Sequence, residues 1–277
     1  MKNVKWFAVL ATAALAAVSC GAKKSDAPKV LVLYYSQTAT TKAVAEEIAG
    51  KLGADIEAVV PVQSYGNTFQ EAIDRSQKER AEGILPEIQP LASNLADYDI
   101  VFLGYPIWFG TYAPPIAAFL EKADLSGKKV VPFCTFGSGG LDSSVKDLKG
   151  KLTDSEVLPG YGVRQARMDA MPKEVDRFLK ENGFLEGECE ALEAFPEAHE
   201  ATEEEAAIFD AAVGTYPMIH AQAKTVTSRQ VPDGVEYLFT AVDLPREGAP
   251  EMMPAGEMKV YVLVEEGKDP VFTQVIR

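Results

Sequence analysis

The sequence predicts an α/β unit built on a five-stranded parallel sheet flanked by helices, followed by a small C-terminal α+β unit with an antiparallel meander. Three observations predict it. Between residues 29 and 187, apolar runs of strand length alternate five times with segments of helical spacing, which requires parallel strands joined by right-handed helical crossovers. Three connecting loops have an unusual composition, and they follow the first, third and fourth strands. From residue 188 to 277 the pattern changes to one acidic helix and four consecutive strand-like runs with short turns.

The first strand is the unbroken apolar run Val30 to Tyr35, the pattern of a strand covered on both faces. It stops at Ser36. Four of the six side chains from Ser36 to Thr41 are hydroxyls, and Ala43 to Leu52 then has helical spacing. ADIEAVVPV is the second strand, ending near Pro61, and residues 67–82 read as a polar helix with Phe69, Ala72 and Ile73 on one face. DIVFLGYPI, KKVVPFCT and EVLPGYGVR supply strands three to five, separated by helices at AAFLEKA and SSVKDLKGKL. A last helix starts with Pro172 at a favoured first position and stops before Gly183.

In the C-terminal unit, Thr202 with Glu205 three residues on makes a capping box for a helix through about Ala212. The runs AKTVTSRQV, VEYLFTAV, MKVYVLVEE and PVFTQVIR follow. Pro232-Asp233-Gly234 and Gly267-Lys268-Asp269 are hairpin signals, so four antiparallel strands packed on one helix are expected.

The hydroxyl loop carries the first chemical signal. At the start of a helix, unpaired N–H groups, the positive end of the helix dipole and several hydroxyls converge, which makes a site for a phosphate ester without a lysine. Taken alone, Ser and Thr before a helix also serve as plain caps. The other two loops are YPIWFGTYAPP, residues 105–115, and CTFGSGGLDSS, residues 134–144. With all three in hand, residues 29–185 resemble the flavodoxins, in particular short-chain forms with S-x-T-G-N-T, G-Y-P-I-W-W-G-T and F-C-T-x-G-x-S-G loops. The resemblance implies strand order 2-1-3-4-5, with FMN bound where the order reverses between strands 1 and 3.

It also implies the site residues. Ser36, Thr38, Ala39, Thr40 and Thr41 would cradle the phosphate, although Ala39 stands where the family has glycine. Pro106, Ile107, Trp108, Phe109, Gly110 and Thr111 would line the ring. Trp108 is either a flavin wall or a packing plug against the next helix. Phe136, Gly137, Ser138, Gly139 and Gly140 would meet the ring's polar edge, the glycines allowing close backbone approach. A turn would explain those glycines equally, but not Phe136.

The ends of the chain carry a different message. Lys2 and Lys5, an apolar stretch from Trp6 to Val18, then Ser19, Cys20 and Gly21 resemble a lipoprotein signal, with residues 1–20 as signal and Cys20 as the lipid-bearing residue. Residues 21–28 are then a tether, and the expected location is the cell envelope, with membrane contact through the lipid alone. Cys134, in an apolar strand, is expected to be a buried, inert thiol. No metal site is expected, because His199 and His220 are the only histidines and neither has a Cys or His at ligand spacing. Of the net charge of −14, most belongs to residues 188–277, with 18 acidic and 6 basic side chains, a balance that argues against a nucleic-acid partner.

None of the candidate residues is a plausible acid, base or nucleophile, so reactivity would be the flavin's. The expected function is electron transfer between redox partner proteins of the envelope, their identity open. Two alternatives stand beside it: an FMN-dependent NAD(P)H or quinone reductase, and an FMN-free module that binds another envelope protein.

Overall fold

The computed structural model describes residues 27–189, 192–214, 216–244 and 256–277. Cys20, the signal and most of the tether lie outside the described residues.

The parallel sheet is built from β1 (Val30–Tyr34), β2 (Asp55–Ala58), β3 (Ile100–Trp108), β5 (Lys129–Phe136), β6 (Glu156–Val157) and β7 (Tyr161–Arg164), with β4 (Thr111–Tyr112) as a short antiparallel addition to β3. The order β2-β1-β3-β5-β6 is the expected 2-1-3-4-5 once β4 is set aside. Every pairing along this path is parallel. The expected fifth strand is not continuous: β6 and β7 each pair with β5, on either side of Pro159. Proline has no N–H to give to a ladder, and the interruption follows from that.

Successive side chains of β1 alternate between two cores. Leu31, Leu33 and Tyr35 join one that holds Ala72 of α2 (Phe69–Glu82), Ile116 and Phe119 of α3 (Pro114–Leu120) and Leu148 of α4 (Leu141–Lys151). Val32 joins the other, with Val44 and Ile48 of α1 (Thr40–Leu52) and Val175 and Leu179 of α5 (Met171–Glu181). Leu31, Val32 and Leu33 are all fully buried, so helices cover both faces, as the unbroken apolar run requires. Three helices begin two or three residues earlier than their sequence patterns: α1 at Thr40, α4 at Leu141, and α3 at Pro114, where proline suits the first turn. A cap not anticipated starts α2, where Thr68 and Glu71 form a capping box.

Among the described residues the C-terminal unit holds five strands rather than four. Their order is β12 (Val271–Ile276), β11 (Glu257–Val264), β10 (Gly234–Asp243), β9 (Ala221–Val231) and β8 (His199–Glu200), all antiparallel. The additional β8 is two residues long, too short to carry a periodicity. Helix α6 (Glu203–Val213) opens on the expected Thr202–Glu205 capping box and sets Phe209 against Phe239. Phe209, Phe239, Val260 and Phe272 centre a core distinct from the two around the parallel sheet.

Candidate functional site

The first loop stands between β1 and α1. Ala39 caps α1 with φ 62°, a left-handed conformation that costs an L-residue roughly 1–2 kcal/mol, and no side chain caps the helix. The loop thus keeps the backbone shape that glycine would give. Thr38 and Thr40 lie with their hydroxyls 3.2 Å apart at the surface. The Ser36 hydroxyl is buried and has no hydrogen-bond partner in the protein. Thr41 faces the other way: its hydroxyl meets that of Thr135 at 2.8 Å in the interior, tying α1 to the end of β5. Gln37, which the sequence reading passed over, accepts from the Tyr35 hydroxyl at 2.7 Å and donates to the Gly66 carbonyl at 3.0 Å. It joins this loop to the one after β2.

The second segment is a hairpin, not the open loop expected for residues 105–112. β3 continues to Trp108, turns through Phe109 and Gly110, and returns as β4. Both turn residues have positive φ, 51° and 85°, as a two-residue hairpin turn of the tightest kind demands. The turn is pinned to α4: Thr111 donates to Asp147 at 2.7 Å and Ser143 donates to the Gly110 carbonyl at 2.6 Å. Trp108 is partly buried and packs edge-on against Tyr35 at 5.8 Å and Tyr65 at 5.3 Å. Phe109 is 46% exposed, with the Arg80 guanidinium 5.5 Å from its ring. Ile107 touches the third loop, since a Cβ at Gly140 would stand 2.6 Å from its Cγ2.

The third loop, after β5, is the most altered relative to expectation. Phe136 is a core residue, 4% exposed, because β5 extends through it. The glycines that follow admit protein. A Cβ on Gly139 would lie 2.0 Å from the Val275 carbonyl oxygen, and one on Gly137 would lie 2.8 Å from the Tyr216 hydroxyl. Val275 of β12 donates its N–H to the Ser138 carbonyl at 2.7 Å. Arg164, at the end of β7, donates from Nε to the Gly137 carbonyl at 2.8 Å and from Nη1 to the Phe272 carbonyl at 2.6 Å. Its guanidinium lies 3.3 Å from the centre of the Phe272 ring. The C-terminal unit therefore docks on this loop through its last strand. The sequence had no local sign of the contact, whose partners are 108 positions apart.

The three segments meet at the carboxyl end of the sheet, through Thr41 with Thr135, Tyr35 with Trp108, and Ile107 with Gly140. Asp142 and Asp147, on α4, are held by Gln274 and Thr111. Cys134 lies behind the third loop, fully buried, and burial pushes its thiol far above the ordinary range, so it is no nucleophile. Among the described residues, no group of three or more His, Cys, Asp and Glu is placed to hold a metal ion.

The three segments open where the strand order reverses between β1 and β3, which places the molecule in the doubly wound class that binds ligands at such a crevice. The chain belongs to the flavodoxin family, whose sequence profile matches residues 29–176. Two curated relatives are similar over part of it. NAD(P)H dehydrogenase (quinone) 3 of Rhizobium meliloti is 33% identical over 129 residues, which is 42% of this chain and 58% of that protein. NAD(P)H dehydrogenase (quinone) of Cupriavidus metallidurans is 34% identical over 95 residues, 34% of this chain and 46% of that protein. The chain thus spans about half the length of these relatives. Among solved structures, a flavoprotein of Bacteroides eggerthii is 31% identical, covering 55% of this chain and 96% of that one, with a TM-score of 0.49. A flavoprotein of Lactobacillus acidophilus in complex with FMN is 25% identical, covering 56% and 100%, with a TM-score of 0.47.

Proposed function

We propose that this chain binds FMN at the carboxyl end of the parallel sheet and moves electrons between redox partners of the cell envelope, held at a membrane by lipid on Cys20. The observation that carries the cofactor is the Ser36 hydroxyl, buried without a partner inside a loop at an uncapped helix start. A buried hydroxyl left unpaired costs about 1–3 kcal/mol, and a phosphate oxygen would satisfy it together with the free N–H groups of the first turn of α1. Ala39 holds the left-handed conformation at its own expense, as strained backbone at ligand sites commonly does. These residues fit a phosphate ester.

In this reading Ser36, Thr38, Thr40 and the amides of the first loop hold the phosphate. Trp108 and Phe109 present aromatic surface, and the third loop presents backbone to the ring's polar edge. FMN supplies reversible electron transfer; the protein supplies orientation and a field. The test is titration of the purified protein with FMN, read by quenching of flavin and tryptophan fluorescence. Binding at micromolar FMN is expected, and its absence favours the module that binds another protein instead. Membrane attachment is tested by Cys20→Ser, which should release the protein from membranes.

A second reading, an FMN-dependent NAD(P)H or quinone reductase, is favoured by one observation: the names of the two curated relatives, each matched over about half its length. Oxidation of NADH or NADPH by the purified, FMN-loaded protein with a quinone acceptor would decide for it. A carrier should be reduced only through a partner protein.

A further inference from the structure

Resting on the FMN reading, we infer that the C-terminal unit completes the flavin site from behind. In this arrangement Arg164 and the Val275 N–H hold two carbonyls of the third loop so that the opposite N–H groups serve the ring's polar edge. The inference starts from the planar trans peptide, in which a carbonyl and the N–H of the next residue point in opposite directions. Arg164 fixes the Gly137 carbonyl and Val275 fixes the Ser138 carbonyl. The Ser138 N–H therefore points away from Arg164, and the Gly139 N–H away from β12. Among the described residues neither donates to an acceptor in the protein, and the uncapped start of α4 follows at Gly140. Two adjacent free donors at a helix start form a concavity suited to negative charge.

Reduction supplies that charge. FMN taking up two electrons and one proton carries a negative charge along the N1–C2 carbonyl edge of its ring. Donors fixed in advance stabilise such charge without the cost of reorganising. Arg164 adds a field. It is 8% exposed, both its described hydrogen bonds go to carbonyls, and no carboxylate among the described residues pairs with it. Burial pushes its pKa down to about 10, which leaves the guanidinium charged at neutral pH. A cation bonded to the Gly137 carbonyl also polarises that peptide, making the Ser138 N–H a stronger donor. Arg164 and Val275 are positioning residues, acting through the loop.

The experiment uses the full chain loaded with FMN, with dithionite as the two-electron reductant, and compares the wild type with Arg164→Met, Arg164→Lys and Val275→Pro. Val275 belongs to an edge strand and turns its N–H outward to Ser138, so proline removes that bond and spares the β11–β12 ladder. Three quantities are read: affinity for oxidised FMN, midpoint potential of the bound flavin, and hydrogen exchange of residues 137–140. Arg164→Met should reduce the preference for reduced over oxidised FMN at least tenfold, which for two electrons lowers the potential by about 30 mV. Arg164→Lys should recover part of that. Val275→Pro should shift the potential the same way with Arg164 intact, and both Arg164→Met and Val275→Pro should speed exchange in the loop. Unchanged potentials in flavin-loaded Arg164→Met and Val275→Pro overturn the inference while leaving the FMN reading intact. Should Arg164→Met not fold, Val275→Pro decides alone. A wild type that binds no FMN overturns both.

Discussion

Gly139 lies directly beneath Val275, so close that a methyl group on Gly139 would stand 2.0 Å from the Val275 carbonyl oxygen. Gly139→Ala should therefore wedge the two units apart. Gly139 is not in a left-handed conformation, so the substitution strains only this contact. The expected cost is about 1–3 kcal/mol, the usual range for overpacking. Hydrogen exchange of Val275 should rise while the cores around Phe102 and Phe239 keep their protection. Unchanged exchange at Val275 would show that the units yield without separating.

The pair Thr41 and Thr135 joins two of the site's segments in the interior, with the hydroxyls 2.8 Å apart and the residues 1% and 4% exposed. Thr41→Val leaves the Thr135 hydroxyl buried without this partner, at about 1–3 kcal/mol. Replacing both residues by valine removes both polar groups and should cost less than the single change. Urea unfolding of the single and double variants measures this coupling. Simple additivity would mean that the bond holds nothing.

Ala39→Gly tests the strain in the first loop. Releasing a left-handed alanine returns roughly 1–2 kcal/mol. Glycine also adds unfolded-state entropy, a loss of about 0.4–1 kcal/mol. The net expectation is a gain of between zero and about 1.6 kcal/mol in thermal or urea unfolding, with FMN affinity equal or higher. A destabilised Ala39→Gly protein would contradict the left-handed assignment.

Glu205 links pH to the stability of the C-terminal unit. Hydrogen bonds from Thr202, first from its backbone N–H, and then from His199 hold its carboxyl below the ordinary 4.5. A depressed folded pKa means that the carboxylate's contribution is complete above about 4.5 and fades as pH falls through the folded value. Glu205→Gln should flatten that acid limb and leave stability at alkaline pH without further dependence. Melting of the variant and wild type from pH 3 to 7 tests it. An equally steep acid limb in both would assign the effect to other carboxylates.

What could be seen in the sequence was what is local. The apolar run ending at Ser36 marks a buried strand and its loop, and Thr202 with Glu205 marks a helix start, because each signal lies within a few residues. The hairpin at Phe109 and Gly110 was hidden because phenylalanine carries no mark of a positive φ, and only half of the turn's demand is written in glycine. Phe136 was placed with the loop at the ring's polar edge because its strand seemed to end at Thr135; one more residue of β5 puts it in the core. The glycines of the third loop were read as letting backbone approach a flat ligand, and two of them, Gly137 and Gly139, lie against Tyr216 and Val275, a contact the local sequence does not announce. Arg164 and Val275 gave no signal at all, since their meaning depends on chain that is distant in sequence.

That distance bears on how the molecule assembles in time. Arg164 and Phe272 are separated by 108 positions, and closing so long a loop carries an entropic cost before any contact repays it. The two sets of cores on either side can collapse from nearer neighbours first, leaving the seat between β12 and the third loop as a late event. Refolding followed by fluorescence of the cores should thus run ahead of recovery of the native flavin environment. The interval between the two would be the time a folded sheet spends with its third loop still unfastened.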